Sequence, residues 1–88
     1  MATAMNQQVV EEIAPTIRAL SQHRFELVAT EGAGMMFWAD FQRESTTLRV
    51  VKDRGFWSID CPGVLGASRK SQSAAIRDAL EWISKHVA

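Results

Sequence analysis

The sequence has little of the material from which several classes of small protein are built. Its 88 residues include one cysteine, two prolines and no tyrosine. Cys61 alone cannot form an internal disulfide, on which secreted domains of this size usually depend, so we expect a cytoplasmic protein. The chain has no apolar run of about 18 residues, so no membrane-spanning helix is expected. Residues 1–8 also lack the basic and apolar regions of a signal peptide.

A net charge is also absent, since 10 Lys and Arg residues balance 10 Asp and Glu residues. This balance excludes a polybasic tail and gives little non-specific affinity for nucleic acid. Residues 1–45 nevertheless hold six acids and three bases, whereas residues 46–88 hold seven bases and four acids. We expect a molecular dipole if the two halves stay apart in space, and little consequence if they interleave.

Groups that carry catalysis are scarce. His23 and His86 form no metal-ligand spacing with each other or with Cys61. Each histidine lies near a predicted helix end, where imidazole complements the helix dipole, and Cys61 is predicted to be buried in the core. The glycines of residues 32–34 join two strands and precede no helix, so they do not form a phosphate-binding loop. The sequence therefore predicts a protein that is not an enzyme and that uses no metal or cofactor.

Two segments are predicted to be amphipathic helices. In the first, apolar residues recur at steps of three and four: Val9, Val10, Ile13, Ile17 and Leu20. Pro15 interrupts this pattern, so we predict either a kink near Ala14 or a new helix with Pro15 in its first turn. The last helix is predicted to begin at Ser71 or Ser73, either of which can cap it. Its apolar stripe is Ile76, Leu80, Ile83 and Val87, and Trp82 is placed at the border of the core.

Between these helices, four segments alternate between apolar and polar residues. They predict strands over residues 24–31, 35–42, 47–53 and 56–61. Phe25, Leu27 and Ala29 are predicted on one side of the first strand, and Pro62-Gly63 is predicted to close the sheet. Short connections, among them Asp53-Arg54-Gly55 with glycine at a positive φ, favour an antiparallel meander.

We therefore predict one α+β domain over residues 1–88, with residues 1–5 as a frayed tail. The order is α-β-β-β-β-α, a three- to four-stranded antiparallel meander flanked by N- and C-terminal helices in a two-layer sandwich. The alternative order is α-β-β-β-α, in which residues 56–61 extend the third strand around a bulge.

The two faces of this sheet are predicted to differ in function. One face turns Phe37, Ala39, Phe41, Leu48, Val50, Trp57 and Ile59 toward the helices. The opposite face is then unusually apolar for a surface open to water, which is typical of interaction sites. We predict that it binds another protein or a second copy of the chain through Met36, Trp38, Arg49, Arg54 and Phe56. Two alternatives stay open: the opposite register, or a helix that covers this face.

Residues 48–60 read Leu-Arg-Val-Val-Lys-Asp-Arg-Gly-Phe-Trp-Ser-Ile-Asp. This segment resembles one that is common in small bacterial proteins of the polymorphic-toxin immunity type, where a strand ends in Asp-Arg-Gly and an aromatic residue opens the returning strand. The Phe-Glu-Leu-Val and Met-Phe-Trp-Ala segments before it sit in similar places, so the resemblance covers about half of the chain. It implies a non-enzymatic bacterial or phage-encoded protein that binds a toxin or effector protein.

A second resemblance is to the double-stranded-RNA-binding domain. Residues 25–32 resemble its first strand, and Gly-Ala-Ser-Arg-Lys at 66–70, followed by the Ala-rich residues 74–80, resembles the start of its final helix. In that family the basic pair meets phosphates across a groove. This chain departs from the pattern at residues 33–35, where the family has Pro-x-His. The resemblance implies an alternative function, nucleic-acid binding through Arg69, Lys70, Arg77 and Lys85.

Overall fold

A computed structural model describes residues 5–87. Within them the elements are α1 (Gln7–Glu12), α2 (Ala14–Ser21), β1 (Glu26–Ala33), β2 (Met36–Arg43), β3 (Thr46–Asp53), β4 (Phe56–Cys61), β5 (Val64–Leu65) and α3 (Gln72–His86). The strands form one antiparallel sheet in the order β1-β2-β3-β4-β5. The predicted α+β meander is confirmed with one more strand, and the three-stranded order is wrong. The predicted frayed tail lies, apart from Met5, outside the described residues.

The N-terminal helical segment is two helices, because the chain breaks at Ile13. The Asn6 side chain caps α1 by accepting hydrogen bonds from the backbone N–H groups of Gln8 (2.9 Å) and Val9 (3.4 Å). Pro15 lies in the first turn of α2, where its missing N–H needs no partner. Of the two alternatives at Pro15, the new helix is therefore confirmed.

All three helices pack on one face of the sheet, which gives the predicted two layers. The seven strand residues predicted to face the helices are all buried, so the opposite register and the helix covering the other face are wrong. From α3, Ala75 and Ala79 are buried, at 0% and 1% exposure, whereas Ile76 is only partly buried. Trp82, predicted at the border, belongs to the buried core.

Strand β1 contains a bulge that the alternation of its residues does not reveal. Leu27 and Ala29 pair with consecutive residues of β2, which makes Val28 the extra residue. Beyond the bulge the side chains change faces, and the Oγ1 of Thr30 accepts a hydrogen bond from the backbone N of Asn6 at 3.1 Å on the helical side. The prediction that Ala29 shares a face with Leu27 is therefore wrong.

The prediction that the sheet closes at Pro62-Gly63 is wrong, because these residues form the turn into β5. The chain then continues along β4: the Gly66 N–H donates to the Ile59 carbonyl at 2.7 Å, and the backbone of Arg69 pairs with that of Trp57. A Cβ at Gly66 would lie 2.7 Å from Cγ1 of Ile59, so this close approach requires glycine. Residues 64–69 thus cover the edge of β4.

Candidate protein-binding face

The sheet face that turns away from the helices has no element over it within residues 5–87. We call it the outer face. It comprises Glu26, Ala29 and Glu31 of β1, Met36, Trp38, Asp40 and Gln42 of β2, Thr47, Arg49, Val51 and Asp53 of β3, and Phe56, Ser58 and Asp60 of β4. Four of the five residues predicted to bind protein therefore share this face, and the fifth, Arg54, lies at the turn that borders it.

Three of the large apolar side chains that are exposed lie at one end of the outer face, whereas Leu65 of β5, 82% exposed, lies opposite Asp60 toward the other end. Met36 and Phe56 flank Asp53 across three strands and are 54% and 47% exposed. Met35, which the sequence predicted inside a strand, lies in the β1–β2 turn and is 61% exposed. We call Met35, Met36 and Phe56 the apolar end. Sequence reasoning missed Met35 because it counted this residue as part of the strand.

The two turns at the apolar end are tied together. The backbone N–H of Arg54, in the β3–β4 turn, donates to the Met35 carbonyl at 2.8 Å. Arg54 and Gly55 have φ of 54° and 86°, and positive values at both central residues are what a tight type I′ hairpin turn requires. The Arg54 side chain projects from this turn and is 88% exposed, with Nε 3.8 Å from an Asp53 carboxylate oxygen.

Trp38 and Arg49 form the centre of the outer face. The Arg49 guanidinium donates through Nε and Nη2 to the two carboxylate oxygens of Asp40, at 2.7 and 3.1 Å. The same guanidinium lies over the Trp38 ring, with Cζ 4.9 Å from the ring centroid. The hydrogen bonds to Asp40, assisted by the nearby charges of Asp60 and Glu31, raise the pKa of Arg49. A bidentate ion pair therefore holds the cation that stacks on the tryptophan.

Charge on the outer face is predominantly negative. Its ionisable residues are five acids, Glu26, Glu31, Asp40, Asp53 and Asp60, and one base, Arg49. The two halves of the chain interleave, because ion pairs join Asp40 to Arg49 on the outer face and Glu12 to Lys52 on the helical side. Of the two outcomes expected for the uneven charge along the chain, interleaving is observed. Acidic and basic residues are separated between the two faces of the sheet and not between the two halves of the sequence.

The four residues of the nucleic-acid alternative lie in or just before α3. Arg69 donates to both carboxylate oxygens of Asp78, at 2.8 and 2.9 Å, and Lys85 pairs with Glu81 at 2.9 Å. Lys70 and Arg77 are exposed, and neither has an acidic partner within residues 5–87. Acids therefore offset two of the four positive charges, and both signs alternate along this surface.

Groups for other chemistry are sparse in the described part of the chain. No cluster of three His, Cys, Asp or Glu residues suited to a metal ion occurs within residues 5–87. Burial, with a smaller contribution from Asp60, raises the pKa of the Cys61 thiol to about 11, so it stays protonated at neutral pH. In the same range no helix has the length and apolar character needed to cross a membrane.

Comparisons with protein-family models, curated proteins and solved structures found no match to this chain. The two resemblances stated from the sequence therefore stay predictions. A function has to be argued from the chemistry of the site itself.

Proposed function

We propose that this protein is a non-enzymatic binding module that recognises another protein through its outer face. Its role would be that of an immunity-like or inhibitory partner of a toxin or effector protein in the cytoplasm. The observation that carries the proposal is the uncovered sheet face with exposed Met36 and Phe56. An antiparallel sheet usually keeps its solvated face polar, and exposed apolar groups in one patch are typical of interaction sites.

The residues at this face are also of the types that supply binding energy. Trp38 and Phe56 are aromatic anchors, and the flexible side chains of Met35 and Met36 can adapt to an irregular partner surface. The guanidinium of Arg49 lies over the ring of Trp38. Truncation of such an anchor to alanine typically costs about 2 kcal/mol, or roughly 30-fold in affinity.

The test selects peptide binders from a random display library on the folded protein. We expect the selected binders to lose roughly 30-fold in affinity for Trp38→Ala and for Phe56→Ala. Arg77→Ala, an exposed change on α3, is the matched control and should leave affinity unchanged. Circular dichroism of each variant checks the fold. If binders bind both outer-face variants as tightly as the unmodified chain, the proposed surface is wrong.

The inhibitory role has a separate test in cells. The chain is co-expressed with the protein encoded beside it in its genome, and growth is scored with and without the chain. We expect the unmodified chain to restore growth and Trp38→Ala to fail, while Arg77→Ala still protects. A neighbouring protein that does not impair growth, or protection that survives loss of Trp38, would contradict this role.

A further inference from the structure

We infer that the partner surface which fits the outer face is a cationic amphipathic segment of another protein, in which Lys or Arg side chains surround apolar ones. This inference rests on the proposed function and deepens it by giving the chemistry of the partner.

Charge is distributed unevenly between the two sides of the molecule. The outer face carries five acids and one base. Apart from Arg54 at the turn, the rest of the chain carries eight bases and five acids. The outer face is therefore acidic and the helical side basic, and the two cancel to a formal net charge of zero. A protein partner interacts mainly with the charges of the side that it contacts.

Much of this negative charge is not neutralised. Asp40 is paired with Arg49, but Glu26, Glu31 and Asp60 have no cation within 4.0 Å among the side chains of residues 5–87. Arg49 lies between Asp40 and Asp60 in the ladder, so one cation faces two carboxylates. Three carboxylates are therefore free to meet positive charges on a partner.

The acids of the outer face lie beside its apolar groups. Glu31 pairs with Trp38 across β1 and β2, and Asp53 lies between Met36 and Phe56. Asp60 lies toward the other end of β4. Acidic side chains thus lie beside apolar ones along the outer face, and five of its six ionisable residues are negative.

The same charges disfavour other occupants. Two copies packed through their outer faces would bring like charges together, and a phosphate backbone would meet the same repulsion. The helical side of a second copy is basic, but such a head-to-tail contact would build rings or open chains of molecules and not a simple pair. A basic segment of a different protein is the occupant that the charges favour.

The experiment uses two helical peptides with the same leucine stripe, one with lysine and one with glutamate at every polar position. Each is titrated into the ¹⁵N-labelled protein and followed by amide chemical shifts at two salt concentrations. We expect the lysine peptide to shift the amides of Trp38, Val51 and Phe56, more weakly at high salt, and the glutamate peptide to shift none of them.

Matched variants separate charge from shape. Glu31→Gln with Asp60→Asn removes two charges from the outer face without changing side-chain size, and should weaken lysine-peptide binding about fivefold at low salt. Glu11→Gln with Glu81→Gln removes two charges from the helical side and should leave it unchanged. The amide spectrum of each free variant checks its fold.

Three results would overturn the inference: equal binding of both peptides, no loss in the outer-face variant, or lysine-peptide shifts confined to the helical side. The proposed function fails separately. If binders selected from the library depend on Trp38 but are acidic or uncharged, the outer face is a binding site and only its preference for cations is wrong. If selected binders ignore Trp38 and Phe56, the proposed function is wrong as well.

Discussion

The side chain of Trp38 is held in place before any partner arrives. Arg49 stacks on its ring, and two hydrogen bonds fix Arg49 to Asp40. Ordering a flexible side chain on association costs about 0.5–1.5 kcal/mol, so a group ordered in advance loses less. An ion pair at this exposure contributes little to stability. We therefore interpret the Asp40–Arg49 pair as one that holds the Trp38 side chain in position for binding.

Cys61 should make stability depend on pH in the alkaline range. Its thiol pKa is about 11 in the folded protein and 9.0 ordinarily, so between these values the folded state binds the proton more strongly than the unfolded state. The free energy of unfolding should therefore fall as pH rises from about 9 to about 11, and this contribution is fully present below about pH 9. Urea unfolding across that range measures the slope.

Cys61→Ala provides the control for this titration. It has no thiol to ionise, so its slope should be smaller than that of the unmodified chain. The unmodified Cys61 should also react slowly with a thiol reagent at pH 8 and rapidly after unfolding, because only the thiolate attacks. Equal slopes in the two proteins, or fast labelling of the folded chain, would contradict the burial of this thiol.

Which side chains face inward could be predicted where alternation is unbroken. Phe37, Phe41 and Trp57 are buried as expected because β2 and β4 have no irregularity. Thr30 could not be placed, because the bulge at Val28 contains no glycine or proline to mark it. Trp82 belongs to the buried core, although the spacing of apolar residues along α3 places it at the border of the apolar stripe.

At the scale of the element, the start of α3 depends on one serine. Ser71 Oγ accepts a hydrogen bond from the backbone N–H of Ala74 at 3.2 Å, although the sequence allowed Ser71 or Ser73 as the cap. Ser71→Ala should lower the free energy of unfolding by about 1 kcal/mol. Ser73→Ala removes only the exposed contact of its Oγ with Ser71 Oγ at 3.2 Å, and should alter the free energy of unfolding by less than about 0.5 kcal/mol. Chemical denaturation measures both, and equal effects would contradict the assignment.

Strand β5 shows why a short element escapes prediction. Val64-Leu65 is too short for any alternation to be visible. Its position follows from contacts distant in sequence: the Gly66–Ile59 hydrogen bond, and the pairing of Arg69 with Trp57. The Arg69 side chain adds a bond to α3 through Asp78. Such pairings depend on where the strands lie after folding. The sequence motif that contains Arg69 therefore indicated its charge but not its structural partners.

At the scale of the whole molecule, the distribution of charge over the surface could not be predicted without knowing the fold. The sequence shows an acidic and a basic half, but β1 and β2 from the first half lie in the same sheet as β3 and β4 from the second. Side chains then alternate between faces, so neighbours in sequence such as Arg49 and Val50 contribute to different surfaces. The position of the apolar outer-face residues was predictable, whereas the sign of the charge around them was not.

We expect no binding of a duplex RNA of roughly 20 base pairs at physiological salt. The chain has no net charge, and acids engage two of the four candidate bases. A gel-shift assay across salt concentrations measures this. Binding that falls steeply with salt, and that is lost in Arg69→Ala with Lys70→Ala but not in the control Arg18→Ala with Arg24→Ala, would instead support the nucleic-acid alternative.

The bulge at Val28 also protects the molecule from uncontrolled assembly. Because residues 64–69 cover β4, the outer edge of β1 is where another strand has access to the sheet within the described residues. The bulge interrupts the row of backbone donors and acceptors on β1, and Glu26 and Glu31 lie on either side of it. An incoming strand would lose its register at the bulge and meet like charges, so fibril growth by edge-to-edge addition has no regular template here.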